Sequence, residues 1–134
     1  MRATTKAFIK RLKEKGFKSV SNGIGEDGSD ILSIYNGVSN YPVIVGINDS
    51  CAHMLLCITR LKEFNKEKLL KDINEMNRNS SFVSYVLNES DVMAQSSVPY
   101  TSFTMVDNCM LIFSAVLNGA ETYRCILETI HKKC

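Results

Sequence analysis

Three residues near the middle of the chain, Cys51, His53 and Cys57, are of the types that bind soft metals or act as thiol nucleophiles. On a single strand their even spacing puts all three on one face. At about 3.3 Å per residue Cys51 and Cys57 then stand roughly 20 Å apart, so only Cys51 and His53 can act together. Two ligands make half of a structural zinc site, and no C-x-x-C pair supplies the rest. The reading is a Cys and a His on a partly exposed sheet face. The run Gly23-Ile24-Gly25-Glu26-Asp27-Gly28 spells the dinucleotide pattern G-x-G-x-x-G, but that pattern works by opening a helix whose N-terminus meets a pyrophosphate. Strand-type sequence follows here, and Glu26 and Asp27 set two carboxylates where phosphates belong, so the run reads as a flexible hairpin turn. In such a turn the two carboxylates are solvated, which gives no shifted acid for proton transfer. The second histidine, His131, falls in the last turn of a helical pattern, where a cation complements the helix dipole. No G-x-S-x-G elbow frames a serine. The expectation is therefore no catalytic residue, no metal site, no cofactor, and a protein that is not an enzyme.

These residues must be positioned by short elements. A first helix is predicted over residues 3 to 15, with Phe8, Ile9 and Leu12 as its buried stripe and Gly16 in the left-handed position that ends it. Strands are predicted at Phe17 to Ser21, Ile31 to Tyr35, Pro42 to Ile47 and Ala52 to Thr59. Asn36-Gly37 and Asn48-Asp49-Ser50 are the clearest turns between them. Connections this short favour antiparallel neighbours, because a parallel crossover needs a dozen or more residues. A second helix starts at Asn65, a good N-cap, with Phe64 and Leu69 placed as a hydrophobic staple and Leu69, Ile73 and Met76 facing the sheet. Phe82 to Leu87 and Asp91 to Val98 read as a hairpin about Asn88-Glu89-Ser90, and Pro99 ends the strand.

From Phe103 to Lys133 one apolar stripe runs through Met105, Cys109, Ile112, Val116, Ala120, Tyr123, Leu127 and Ile130 in steps of three and four. The stripe keeps phase across Asn118-Gly119, which predicts one long helix with a weak point of about 1 kcal/mol. A second stripe, Val106, Met110, Phe113 and Leu117, widens the apolar arc of the N-terminal half. Either the domain wraps around this half or a second subunit covers it. These four residues are the expected dimer or partner interface.

The chain has 134 residues, of which 45% are hydrophobic and 22% charged, values that suit one globular domain spanning residues 1 to 134 and exclude collagen-like and strongly charged disordered classes. Its net charge of +2 is well short of a dedicated nucleic-acid binder. The charge is uneven, because residues 1 to 18 hold seven Lys and Arg against Glu14 alone. That basic helix leaves open an electrostatic contact with nucleic acid or an anionic membrane, although it lacks interleaved aromatics and nucleic acid is the less favoured partner. The five cysteines are an odd number, no secretory hydrophobic region precedes them, and no apolar run approaches the roughly 20 residues of a transmembrane span. A reducing cytoplasm is expected.

One stretch carries a family pattern. A helix ending in Ile73-Asn74-Glu75-Met76-Asn77 is followed by Phe82-Val83-Ser84-Tyr85-Val86, a polar turn, Asp91-Val92-Met93-Ala94, and a strand closing at Val98-Pro99 before a long apolar helix. This resembles the bacterial YbjN-like family, which shares its fold with type III secretion chaperones. The resemblance implies an α+β domain in the order helix, β-meander, helix, β-hairpin, helix. Five or six antiparallel strands would pack with three helices. It also implies a cytosolic protein, often dimeric, that binds a protein partner or client rather than catalysing a reaction. The chaperones of that fold look acidic, and this chain is slightly basic. The expected function is a non-enzymatic protein-binding module, chaperone-like or regulatory, acting as a homodimer. The alternatives are an electrostatic binder working through the first helix and a small-ligand sensor with a cleft between helix and sheet.

Overall fold

The computed structural model describes residues 1–99 and 105–133. Three helices and an antiparallel sheet make an α+β fold in the predicted order: α1 (Ala3–Glu14), β1 (Lys18–Ile24), β2 (Asp30–Tyr35), β3 (Val43–Ile47), β4 (Cys51–Glu63), α2 (Lys66–Arg78), β5 (Ser84–Asn88), β6 (Asp91–Pro99) and α3 (Met105–Ile130). Six strands lie side by side as β1-β2-β3-β4-β6-β5, and a two-residue β7 (Lys132–Lys133) pairs with the far end of β4. Every pairing is antiparallel.

Side-chain alternation puts Leu32, Ile34, Val43, Val45, Ile47, Ala52, Met54, Leu56, Val92 and Ala94 on one face, where they join Phe8 and Leu12 of α1 and the inner face of α3 in one continuous core. Asn65 caps α2 as its sequence predicts, its side chain accepting from the Lys68 amide, while Leu69, Ile73 and Met76 are buried. Gly16 ends α1 at φ +86.

Four features depart from the sequence reading. α1 buries Thr5 along with Phe8 and Leu12, while Ile9 is half-buried. β4 runs to Glu63 instead of stopping at Thr59. A bulge between Cys57 and Thr59 shifts the alternation by one, so Thr59 and Leu61 return to the core, and a period-2 pattern fails to follow the strand past that point. α3 is a single helix through Gly119, as predicted, but it ends at Ile130, which is exposed, and His131 begins the turn into β7. The predicted start at Phe103 lies outside the described residues.

The fourth departure concerns the second stripe on α3. Phe113 is 1% exposed, and its ring meets Phe17 edge-on at 4.9 Å between centroids. Leu117 is also buried, and Val106 and Met110 are half-buried. The expected interface residues Phe113 and Leu117 are thus core of a single chain. α1 packs across this half of α3, so the wide apolar arc is filled from within and the stripe supplies no argument for a second subunit.

Gly119 has a packing role. A Cβ there would run into the Tyr85 hydroxyl, so the missing side chain is what lets the Tyr85 ring of β5 lie against α3, edge-on to Tyr123 at 5.2 Å.

Candidate functional site

Because α1 and α3 cover one face of the sheet, the other face is open. Cross-strand register builds it in rows. One row reads Val20, Ser33, Ile44, Leu55, Gln95 and Ser84 from β1 to β5, and the next reads Ile31, Gly46, His53 and Ser97. Neither row contains an Asp, Glu, Lys or Arg, on a chain in which 22% of residues are charged. Ile44 and Leu55 are directly paired and 37% and 38% exposed, and Phe82, just before β5, is 63% exposed. They line a shallow depression of about 630 Å3 together with Gly46, His53, Gln95 and Ser97. Gly46 keeps its floor low, since a Cβ there would rest on Ile31.

Both edges of the sheet carry features that disfavour an added strand. At β5, the Asn77 side chain of α2 accepts from the Tyr85 amide at 2.6 Å and donates to the Tyr85 carbonyl at 2.9 Å, occupying the outward backbone groups at that residue. At β1, the regular ladder stops after Ser21 at a bulge through Gly23 (φ +88), and Lys18 stands at the other end. Side-chain recognition on the open face is therefore better served than strand addition.

One end of the face holds the cluster that the sequence singled out. Cys51 Sγ lies 3.1 Å from His53 Nε2, and His53 Nδ1 lies 2.7 Å from Ser97 Oγ. The Asn48 side chain shapes the turn that delivers Cys51, accepting from the amides of Ser50 and Cys51. Asp27 approaches from the β1–β2 turn. Its carboxyl is held below the usual carboxylate range first by the Ser29 amide and hydroxyl, with a smaller Coulombic pull from His53. The G-x-G-x-x-G run is that hairpin turn, with Gly28 at φ +85 and a strand following. Cys57, the third sulfur-or-nitrogen residue of the sequence reading, is buried and its thiol is pushed up to about 11, mainly by burial. Among the described residues no group of three or more His, Cys, Asp or Glu converges as a metal site.

Sequence reasoning brought Cys51 and His53 together but missed Ser97, because register between β4 and β6 is set by a bulge that no local pattern announces. His131, expected in the last helical turn, lies just past the end of α3. It is 6% exposed, and its Nε2 lies 2.9 Å from Asp72 of α2, tying the end of α3 to that helix. The basic opening segment is partly committed as well: Arg2 bonds Asp49 and the carbonyls of Gly28 and Ile47, and Arg11 bonds Asp107. No helix among the described residues is long and apolar enough to cross a membrane.

Compared with known proteins, the chain matches no family model and no curated protein. The YbjN-like resemblance therefore stands on the residues quoted for it.

Proposed function

We propose that this protein is a non-enzymatic protein-binding module, chaperone-like or regulatory, whose open sheet face receives an uncharged, apolar stretch of a partner polypeptide. The observation that carries this reading is the charge-free pair of rows from Val20 to Ser84 and from Ile31 to Ser97. Depletion of charged residues is the compositional mark of an interface core. An isolated sheet face of this kind is costly to leave in water unless something covers it. Charged groups border it, with the Arg60–Asp91 pair at one end (Nε to Oδ1 2.6 Å) and Asp27 at the other, as in a polar rim. Both edges are blunted in this way, so recognition runs through side chains and the depression, with Phe82 as the exposed aromatic anchor.

The test is a peptide array scored against the purified full chain and its Leu55→Asp and Phe82→Ala variants, both at exposed positions. Uncharged apolar peptides should bind the wild type, peptides carrying charges every second residue should not, and both variants should lose at least tenfold in affinity, about 1.4 kcal/mol, with far-UV circular dichroism unchanged. Equal binding by Leu55→Asp, or no peptide bound by the wild type, would overturn the proposal. Native mass spectrometry of the same samples reads whether the binding unit is a homodimer.

A further inference from the structure

The Cys51–His53–Ser97 chain goes beyond a binding surface, because it links a thiol, an imidazole and a hydroxyl within hydrogen-bond reach in that order. Both ring nitrogens of His53 are engaged, Nδ1 with Ser97 Oγ at 2.7 Å and Nε2 with Cys51 Sγ at 3.1 Å. A neutral imidazole offers one donor and one acceptor. With Nδ1–H donating to Ser97, Nε2 is left as the acceptor facing the thiol, and the thiol proton can cross to it without movement of any heavy atom. In that tautomer Ser97 is a positioning residue that holds the ring, and His53 is the base. Cys51 is half-exposed, and its partners His53 and Ser97 line the depression of about 630 Å3, so the sulfur is reachable beside that depression.

The surroundings select the class of electrophile. Acyl transfer needs donors for a developing oxyanion. The Cys51 amide, the donor nearest its own sulfur in sequence, is already given to Asn48 Oδ1 at 2.9 Å. Attack on a disulfide sulfur builds no oxyanion and needs none. The other described thiols differ in kind: Cys57 and Cys109 are buried and pushed up to about 11, chiefly by burial, and Cys125 is exposed on α3 while the rings of His53 and His131 bond other residues.

We propose that Cys51 is a reactive thiol, activated by His53 and oriented through Ser97, that undergoes thiol–disulfide exchange with low-molecular-weight disulfides. The Cys51 Sγ–H proton passes to His53 Nε2 and the sulfur attacks one sulfur of the disulfide. The reactant's S–S bond breaks as the Cys51 S–S bond forms, and the departing sulfur leaves as a thiol after taking the proton from Nε2. The protein thiol is oxidised to a mixed disulfide, and one half of the reactant is reduced. The bound group then sits at the end of the open face, where it would occlude the row Gly46, His53 and Ser97.

The full chain, freshly reduced, is mixed with the aromatic disulfide 5,5′-dithiobis(2-nitrobenzoate) and thiolate release is followed by absorbance, with the modified cysteine identified by peptide mass mapping at each time point. Cys51 should react about tenfold or more faster than Cys125. His53→Gln should remove that advantage while leaving the Cys125 rate unchanged, an internal control that a merely structural change at His53 would not satisfy. Ser97→Ala should slow Cys51 to an intermediate rate, and Ser97→Thr should restore it. Oxidised glutathione in place of the aromatic probe should add one glutathionyl mass at Cys51. A Cys51 rate equal to that of Cys125, or one unchanged in His53→Gln, overturns the proposal. The assay needs no partner, so its failure and a failure of peptide binding are separate results.

Discussion

Replacing Asp30 by Ala should destabilise the whole domain, because this residue of β2 acts as the N-terminal cap of α1. Arg2, at the N-cap position of α1, makes no side-chain capping bond of its own. The Asp30 carboxylate, 4% exposed, accepts from the Arg2 amide at 2.9 Å and from the buried Thr5 hydroxyl at 2.6 Å. Loss of a cap costs about 1 kcal/mol, and loss of a buried charge-assisted bond from Thr5 about 1.5 kcal/mol more. The sum, about 2.5 kcal/mol, corresponds to a fall in Tm of about 10 °C for a domain of this length. Urea unfolding followed by circular dichroism at pH 7, 5 and 3 reads both the size and its pH dependence. The Asp30 carboxyl is held below its usual value, first by the Thr5 hydroxyl and then by the Arg2 amide and charge, against a raising effect of burial. A depressed folded value means that the stability is fully present above the unfolded carboxyl value of about 3.9 and is lost as pH falls through the lower, folded one. The gap between wild type and variant should therefore be constant from pH 7 to 5 and shrink only in stronger acid. A loss below about 0.5 kcal/mol at pH 7, within the range of an ordinary surface substitution, would refute the reasoning. So would a gap that narrows already between pH 7 and 5.

Other outcomes follow from the same geometry. Gly119→Ala gains about 1 kcal/mol of helix propensity yet should destabilise by about 1–2 kcal/mol net because the new methyl meets Tyr85, and adding Tyr85→Phe should recover most of the loss in thermal melts. Asn77→Ala removes two bonds to the β5 backbone and should cost about 2 kcal/mol; light scattering should also show self-association, since the freed Tyr85 amide and carbonyl form an open strand edge. Glu89 sits at φ 57 in the two-residue β5–β6 turn, so Glu89→Gly should leave stability equal or raise it by up to about 1 kcal/mol in chemical unfolding. Thiol counting in native buffer should miss Cys57 and Cys109 and recover both only in denaturant, because burial pushes each thiol up to about 11.

The pattern of apolar spacing carried the helices and most of the strands, since each buried stripe is a local property: Leu69, Ile73 and Met76 on α2, or Met105 through Leu127 on α3. What was not legible depends on contacts between elements far apart in the chain. That α1 would fill the Phe113 and Leu117 stripe, that Asp30 would cap a helix 28 residues away, and that Ser97 would reach His53 are all consequences of tertiary register. The Cys51–His53 pair was legible because i and i+2 on a strand share a face whatever the fold. The charge-free rows were not, because their members come from six strands.

The bulge in β4 sets a reading frame for the rest of the molecule. Upstream of it, odd-numbered residues face the open surface and even-numbered ones the core; downstream, Thr59 and Leu61 face the core. Removing Ile58 itself would join the two halves into an unbroken ladder with both keeping their faces, whereas removing one residue elsewhere in β4 would turn one half over, sending either Met54 and Leu56, or Thr59 and Leu61, into solvent. A single-residue deletion away from the bulge exchanges inside for outside along half a strand, whereas loss of the bulged residue or a two-residue change on either side keeps the frame. Length variation tolerated within β4 should accordingly come in even steps except at the bulge, where Ile58 is the one residue that can be lost with Cys51, His53 and Leu55 still on the outside.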